Sequence, residues 1–596
     1  MDMLKDLFKF IQYYGKRRKL KIFGFFLVSL ISGLFEFIGI GLIYPFLMLI
    51  INPQEVIEYK SIVTVINYFH INHILTITAL IGFLIVLMFL FKNLLMILCI
   101  YLQNKFVINW KTDLNKMLMK FYLKAPYFNV FRTTNSEKIY NLTILTAQTL
   151  ETFVIKSFVF FTNSIITAII LSLLFIKFPY VASFSVIFVA ISMFMLNKFF
   201  KQKTEILAPQ MLSYSLKNNN QVIENIKNSK EIRIFSAEDY FLNKFGKIQK
   251  ENNDVIFRNT FFASIPPYLV EIIMVVALII FAGLITLKNY GETSKIIASY
   301  GLILGVIFRI APSLNRIQVA LNHMNSSKEL IKKMNNEYEQ NHFDIVANVT
   351  TPDKQIKFND KISLKDVSFE YQENTPVLKN VSFEIKKGEF VGIVGLSGAG
   401  KTTLADILMG LLPIKSGEIF VDDVKITEEN FSTLKNLTGY VPQEISLLED
   451  NFKNNVALGQ DENNINEEFV IESLKQAQLI DVVEKSGGIN SMIRGLSQGQ
   501  KQRLMIARGL YRNSDVLIFD EATSSLDVET EHEITQMLTS LKGNKTIIVI
   551  AHRLCTLKEC DKLIYLKDGA IVDIGTFEEL EKSHDDFKNL IKLSQI

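Results

Sequence analysis

The stretch EFVGIVGLSGAGKTTLADILMGLL joins an apolar, strand-like run to a helical one through a glycine-rich loop. Gly395, Gly400, Lys401 and Thr402 fill the spacing GxxxxGK[ST] between the two. Glycines at these places let successive backbone N–H groups wrap a phosphate chain, and a lysine reaches the outer phosphates. The Thr402 hydroxyl is a hard oxygen ligand suited to Mg²⁺, and Ser397, Gly398 and Thr403 complete the candidate phosphate-binding set. The bare pattern arises by chance in loops, but the flanking strand and helix are what a nucleotide site requires. Downstream, DVLIFDEATSSLD is an apolar strand ending in two carboxylates. Acids at strand ends are often merely solvated. Behind a phosphate loop, Asp520 suits Mg²⁺ coordination through water and Glu521 suits polarising an attacking water.

The elements that must position these residues form two chemically different parts. Nearly half of the 596 residues are hydrophobic, 47 of them Phe, which points to a membrane protein with a soluble part. Apolar runs fall at 22–51, 74–102, 153–176, 179–199, 262–286 and 295–315. Each is long enough to cross a hydrocarbon core needing about 20 helical residues. The N-terminus, 103–152 and 200–261 are rich in Lys and Arg, whereas 52–73 and 287–294 carry one Lys each. Positive residues stay inside, which predicts cytoplasmic termini and a cytoplasmic-membrane location. Each long basic segment reads as two membrane helices continuing inward and joined by a turn, near APYFNVFRTTNSEK and NSKEIRIFSAEDY. Residues 1–20 form an amphipathic helix with Leu4, Leu7, Phe8 and Ile11 on one face. Tyr59, Ile62, Val63, Ile66 and Phe69 predict an outer surface helix, with an extended loop as the alternative. The membrane domain is thus 21–325, a charged connector 326–354, and an α/β domain 355–596. Three cysteines without a CxxC pair exclude a disulfide framework and a thiolate metal site. A net charge of +4 over 64 basic and 60 acidic residues points to no nucleic acid.

Charges inside the spans are expensive unless paired or hydrated. Glu36, Lys92, Glu271 and Arg309 lie within them, and Arg316 lies near the inner end of the last. Arg309 and Arg316 are two helical turns apart and share a face. Two uses follow: ion pairs with Glu36 or Glu271 that lock the helices, or contact with an anionic substrate head group, for which arginine forks match phosphate oxygens.

The stretch LSQGQKQRLMIARGL resembles, at Leu496, Ser497, Gly499 and Gln500, the signature of the ATP-binding cassette (ABC) transporters. Other family positions follow in order. Tyr371 resembles the aromatic stacked on adenine, Gln443 the glutamine that touches Mg²⁺, Ser524 to Asp527 the dimer-contact loop, and His552 the histidine at the γ-phosphate. The resemblance implies ATP and Mg²⁺ as cofactors, catalytic roles for Glu521 and His552, and ATP hydrolysis coupled to transport. One membrane half and one cassette imply a half-transporter working as a homodimer, with each ATP between one P-loop and the other copy's signature. Gln498 replaces the usual first glycine of the signature, and NSMIRGLSQGQ lacks the acidic stretch many exporters carry before it.

The order of six helices then cassette resembles the exporter branch. EFIGIGLIYPF, the outer segment and FRIAPSLNRI are similar to flippases of lipid-linked oligosaccharides, which move polyprenyl-pyrophosphate glycans. That implies an amphipathic, lipid-linked cargo in the bilayer, with Lys92, Arg309 and Arg316 as its substrate contacts. The alternatives are a peptide, lipid or multidrug exporter, and an ATP-regulated channel or regulatory subunit. An N-terminal peptidase is not expected, since some twenty residues precede the first span.

Overall fold

The structure is a computed structural model. It describes all residues except 1, 16–17, 52–73, 129–133, 178, 289–292, 342–355, 373, 428–429, 521–527, 551–553 and 594–596. The expected outer helix within 52–73, the catalytic candidates Glu521 and His552, and the loop Ser524 to Asp527 lie outside the described residues. The chain divides into two units: residues 1–125 with 133–348, and residues 126–132 with 349–596.

The first unit is helical throughout. An N-terminal helix α1 (Asp2–Tyr14) precedes α2 (Lys19–Gly41) and α3 (Ile43–Ile51), which together cover the first apolar run. Helix α4 (Ile74–Lys124) is 51 residues long. At 1.5 Å per residue that is about 77 Å, more than twice a hydrocarbon core, so it carries the second span well beyond the bilayer. Helix α5 (Asn135–Tyr140) leads through two π-helical segments, Asn141–Leu145 and Thr149–Val154, into α6 (Ile155–Lys177). Next come α7 (Pro179–Lys227), α8 (Ser229–Ile234) and α9 (Glu238–Ser264). The unit closes with α10 (Pro266–Lys288), α11 (Thr293–Ser326) and α12 (Lys328–Asn341).

Among the described residues, five helical stretches are long and apolar enough to cross a membrane: 19–51, 75–124, 135–172, 238–284 and 299–326. The remaining expected span, 179–199, falls within α7, where many side chains are outside the described set. Pro209 and Pro312 sit inside α7 and α11. Each removes one i→i−4 hydrogen bond; at Pro312, in a membrane helix, that defect is tolerated when neighbours re-satisfy the freed carbonyl.

The second unit is α/β. Strands β1 (Lys361–Gln372), β2 (Thr375–Lys386), β4 (Ser416–Val421) and β5 (Val424–Lys425) form an antiparallel sheet in the order β2-β1-β4-β5. A second sheet runs β10-β9-β3-β8-β7-β6. Its strands are β3 (Phe390–Val394), β6 (Thr438–Val441), β7 (Val516–Asp520), β8 (Thr546–Ile550), β9 (Lys562–Lys567) and β10 (Ala570–Gly575). All its pairings are parallel except β9 with β10. Strands β3, β7 and β8 are buried at every position, as a parallel sheet covered on both faces demands. The period-2 alternation sends Phe390, Leu517, Phe519, Ile547 and Val549 into one core. Val391, Ile393, Val516, Ile518 and Ile548 go into the other. The C-terminal ends of β3 and β7 therefore lie in the buried interior of the sheet.

Candidate nucleotide site and membrane charge cluster

Strand β3 delivers the chain into the glycine-rich loop, and the loop into helix α13 (Lys401–Leu408). Gly398 and Gly400 take φ of +82° and +99°, and Gly400 is the N-cap of α13. A side chain is strained there by backbone geometry alone. At Gly395 the constraint is space, because a Cβ would come within 2.2 Å of the Leu566 carbonyl oxygen. The result is a tight loop of N–H donors at the positive end of a helix, an anion cradle built from backbone. Lys401 is buried, and its Nζ donates to the carbonyls of Gly395 at 2.8 Å and Leu396 at 3.1 Å. The ammonium is thereby held over the loop.

Asp520 ends β7 and is buried, and its Oδ2 accepts a hydrogen bond from the Tyr440 hydroxyl at 3.3 Å. Burial first and Asp520 second push the Tyr440 phenol up, so it stays a donor to that carboxylate. The same two causes push the Asp406 carboxyl up from 3.8 to about 6. A hydroxyl at Thr402 and a carboxylate at Asp520 are hard oxygen donors, the set Mg²⁺ prefers, so these residues fit the ion. Tyr371 is half-buried, its hydroxyl 3.3 Å from Thr403 Oγ1 and its ring edge-on to Phe369. Gln443 is exposed just beyond β6.

The signature lies at the start of helix α14 (Gln498–Tyr511). Ser497 is the N-cap: its hydroxyl accepts from the Gln500 N–H at 3.3 Å, and Gln500 Oε1 accepts from the Ser497 N–H at 2.9 Å. This capping box leaves Ser497 exposed. It also gives Gln500 a local structural task. Gln498 is the first helical residue with its side chain exposed, which is why glycine is not required there. Gly499 follows in the first turn, half-buried.

Sequence reasoning passed over Tyr440 and Asp406. The available signal was an acid inside the otherwise apolar LADILMGLL and a tyrosine one residue from the strand end at Val441. The inward turn near APYFNVFRTTNSEK is expected within the membrane domain; its described residues 126–128 group with the α/β unit, where the Phe128 ring meets Phe369 edge-on at 6.1 Å.

In the helical unit the intramembrane charges converge. Glu36 on α2 is 1 % exposed. Lys92 on α4 pairs with its Oε1 at 3.4 Å, and Arg309 on α11 pairs with the same oxygen. Glu36 is thus the acid that serves Lys92 and Arg309, while Glu271 is exposed on α10. Two cations share one carboxylate, and Arg316, exposed on α11, stands within electrostatic range of both.

Residues 378–524 match the family model described as ABC transporter. Among curated proteins, the chain is 35% identical over 370 residues to an ATP-dependent lipid A-core flippase of Francisella tularensis subsp. holarctica (strain OSU18). That match covers 60% of this chain and 59% of the relative. It is 31% identical over 364 residues to a protein of the same description from Methylobacillus flagellatus, covering 60% of each. The chain thus spans about three fifths of the length of the curated relatives it matches. A solved structure described as a bacterial Atm1-family ABC exporter with ATP bound superposes with a TM-score of 0.77 at 18% identity. It covers 97% of this chain and 98% of that one, so the fold is that of an ABC exporter.

Proposed function

We propose that this multi-pass membrane chain, with an ABC transporter domain at residues 378–524 on an exporter fold, uses ATP hydrolysis to flip an amphipathic lipid across the cytoplasmic membrane. The observation that carries the lipid reading is the cluster in the helical unit. Lys92, Arg309 and Arg316 outnumber the one carboxylate that Lys92 and Arg309 share. An excess of positive charge among apolar helices suits an anionic head group whose tail stays in lipid. The curated relatives' description as lipid A-core flippases supports the same class of cargo. Within that class the reading favours a polyprenyl-pyrophosphate glycan, whose two phosphates complement the surplus cations.

In this mechanism the loop N–H groups, Lys401, Ser397 and Thr403 bind the phosphates, and Tyr371 stacks on the base. Thr402, Asp520 and Gln443 hold Mg²⁺, which neutralises phosphate charge when bound. Glu521 polarises the attacking water and His552 contacts the γ-phosphate. Two copies act together, with Ser497, Gly499 and Gln500 of each helix α14 facing the other's phosphate loop. A homodimer is also supported by the second inward turn. Helix α8 has no buried residue, Phe235 beyond it is 79 % exposed, and Ile234 and Tyr240 are exposed with it. Such an apolar set on a cytoplasmic turn calls for a covering surface.

The test is reconstitution in proteoliposomes with a fluorescent polyprenyl-pyrophosphate glycan or a fluorescent lipid A-core. ATP-dependent leaflet transfer and stimulated hydrolysis with either supports lipid flipping, and preference for the first supports the glycan. Stimulation by peptides or hydrophobic drugs alone, with no lipid transfer, would overturn the proposal.

A further inference from the structure

Strand β7 ends on Asp520, and beside it lies β6, the edge strand of the sheet. The two run parallel, with Tyr440 opposite Ile518 and Val441 opposite Phe519. Alternate residues of a strand share a face, so Ile518 and Asp520 point the same way and Tyr440 points with them. Tyr440 still starts two residues behind Asp520, about 6.6 Å along the strand. Its phenol spans that gap, and the hydroxyl donates to Asp520 Oδ2 at 3.3 Å. A serine or threonine hydroxyl at position 440 would stop short. Phenylalanine would fill the space without donating.

Asp520 is 6 % exposed. A carboxylate that is to meet a metal ion must be held within about 0.5 Å of the productive geometry by the groups around it. Asp406, on α13 just after the phosphate loop, lies within electrostatic range of Asp520, and like charges turn each other away. Against that push Tyr440 supplies a directed O–H bond to one carboxylate oxygen. It also stands on the strand that leads to Gln443, three residues on.

We propose that Tyr440 is a positioning residue for the divalent ion of the nucleotide site: its hydroxyl fixes the Asp520 carboxylate in the orientation that receives Mg²⁺. The inference rests on Asp520 as an Mg²⁺ residue and adds the group that holds it. Hydrogen-bond partners of metal-ligating carboxylates are worth about 10- to 100-fold in metal affinity.

The test reads binding rather than turnover. The full chain in nanodiscs is titrated with a fluorescent, non-hydrolysable imido analogue of ATP, once with Mg²⁺ and once with EDTA. The ratio of the two affinities is the ion's contribution. Tyr440→Phe should leave the affinity in EDTA at the parent value and lower that in Mg²⁺ about tenfold. A tyrosine needed only for folding would weaken both alike. Asp520→Asn should lose the Mg²⁺ dependence, and adding Tyr440→Phe to it should change nothing further, because the phenol acts through that carboxylate. An unchanged ratio in Tyr440→Phe, equal weakening in both media, or full additivity with Asp520→Asn overturns the role. A parent chain that binds equally well in Mg²⁺ and EDTA, or an Asp520→Asn chain that keeps the ratio, removes Asp520 from the ion and Tyr440 with it.

Discussion

Asp406 and Asp520 set the electrostatics beneath the phosphate loop, and their effect has a definite pH signature. The folded chain holds the Asp406 proton up to about pH 6, whereas an unfolded aspartate releases it near 3.8. Folding then binds the extra proton between these values, so stability falls as pH rises through that window and stays lower above it. Asp406→Asn should raise Tm over the parent chain at pH 8 and leave it unchanged at pH 4, measured by thermal unfolding of the purified protein. At Glu36 the expectation is the opposite of benign. Glu36→Gln leaves Lys92 and Arg309 facing each other without a counter-charge, a change that costs about 3–5 kcal/mol when a buried pair is broken. Arg316→Gln, at an exposed position, should preserve expression and Tm. If Arg316→Gln loses lipid-stimulated hydrolysis while basal hydrolysis persists, the head-group role is supported. If it misfolds as Glu36→Gln does, the arginine is a lock.

Helix α1 and the connector helix α12 form a latch within the helical unit. Lys9 Nζ and the Tyr13 hydroxyl both donate to Glu339 Oε1, at 2.9 and 2.7 Å. The Tyr14 hydroxyl donates to the Met334 carbonyl at 2.7 Å, and Tyr13 stacks on Tyr338 at 4.4 Å. Behind this polar seam Phe10 is fully buried, its ring 5.5 Å from Trp110. Helix α11 continues through Ser327 into α12, so the latch grips the continuation of the membrane helix that carries both arginines. Exposed ion pairs hold such a contact weakly, whereas a buried phenylalanine is worth about 3–5 kcal/mol on truncation to alanine. Phe10→Ala should therefore speed amide exchange across residues 2–14 and 328–341 far more than Glu339→Ala does, followed by hydrogen exchange and mass spectrometry.

For the whole molecule the two inward turns behave differently. The described residues 126–128 group with the α/β unit, while α8 and Phe235 are exposed. In a homodimer the second turn needs a surface on the other copy. Phe235→Asp should leave monomer folding intact, since the residue is 79 % exposed. It should abolish lipid stimulation of hydrolysis and weaken ATP-dependent dimerisation of a Glu521→Gln background, read by light scattering. Dimerisation and stimulation both unchanged would remove this turn from the interface.

Local patterns determined much of this protein. The phosphate loop is legible because its glycines answer a backbone demand, positive φ at Gly398 and Gly400 and close approach at Gly395, which admits few other residues. The long apolar runs are legible because hydrocarbon thickness sets their length. What stayed hidden depends on which helix faces which. The sequence left Glu36 and Glu271 as equal partners for the basic residues. Only the packing of α2, α4 and α11 chose Glu36 and left Glu271 exposed. Likewise the sequence showed that Gln498 replaces a glycine, and only the helix start showed its side chain directed outward. An apolar cavity lined by α6, α7, α10 and α11 had no sequence signal at all. Its lining comes from four helices, so it is a property of the tertiary arrangement rather than of any one segment.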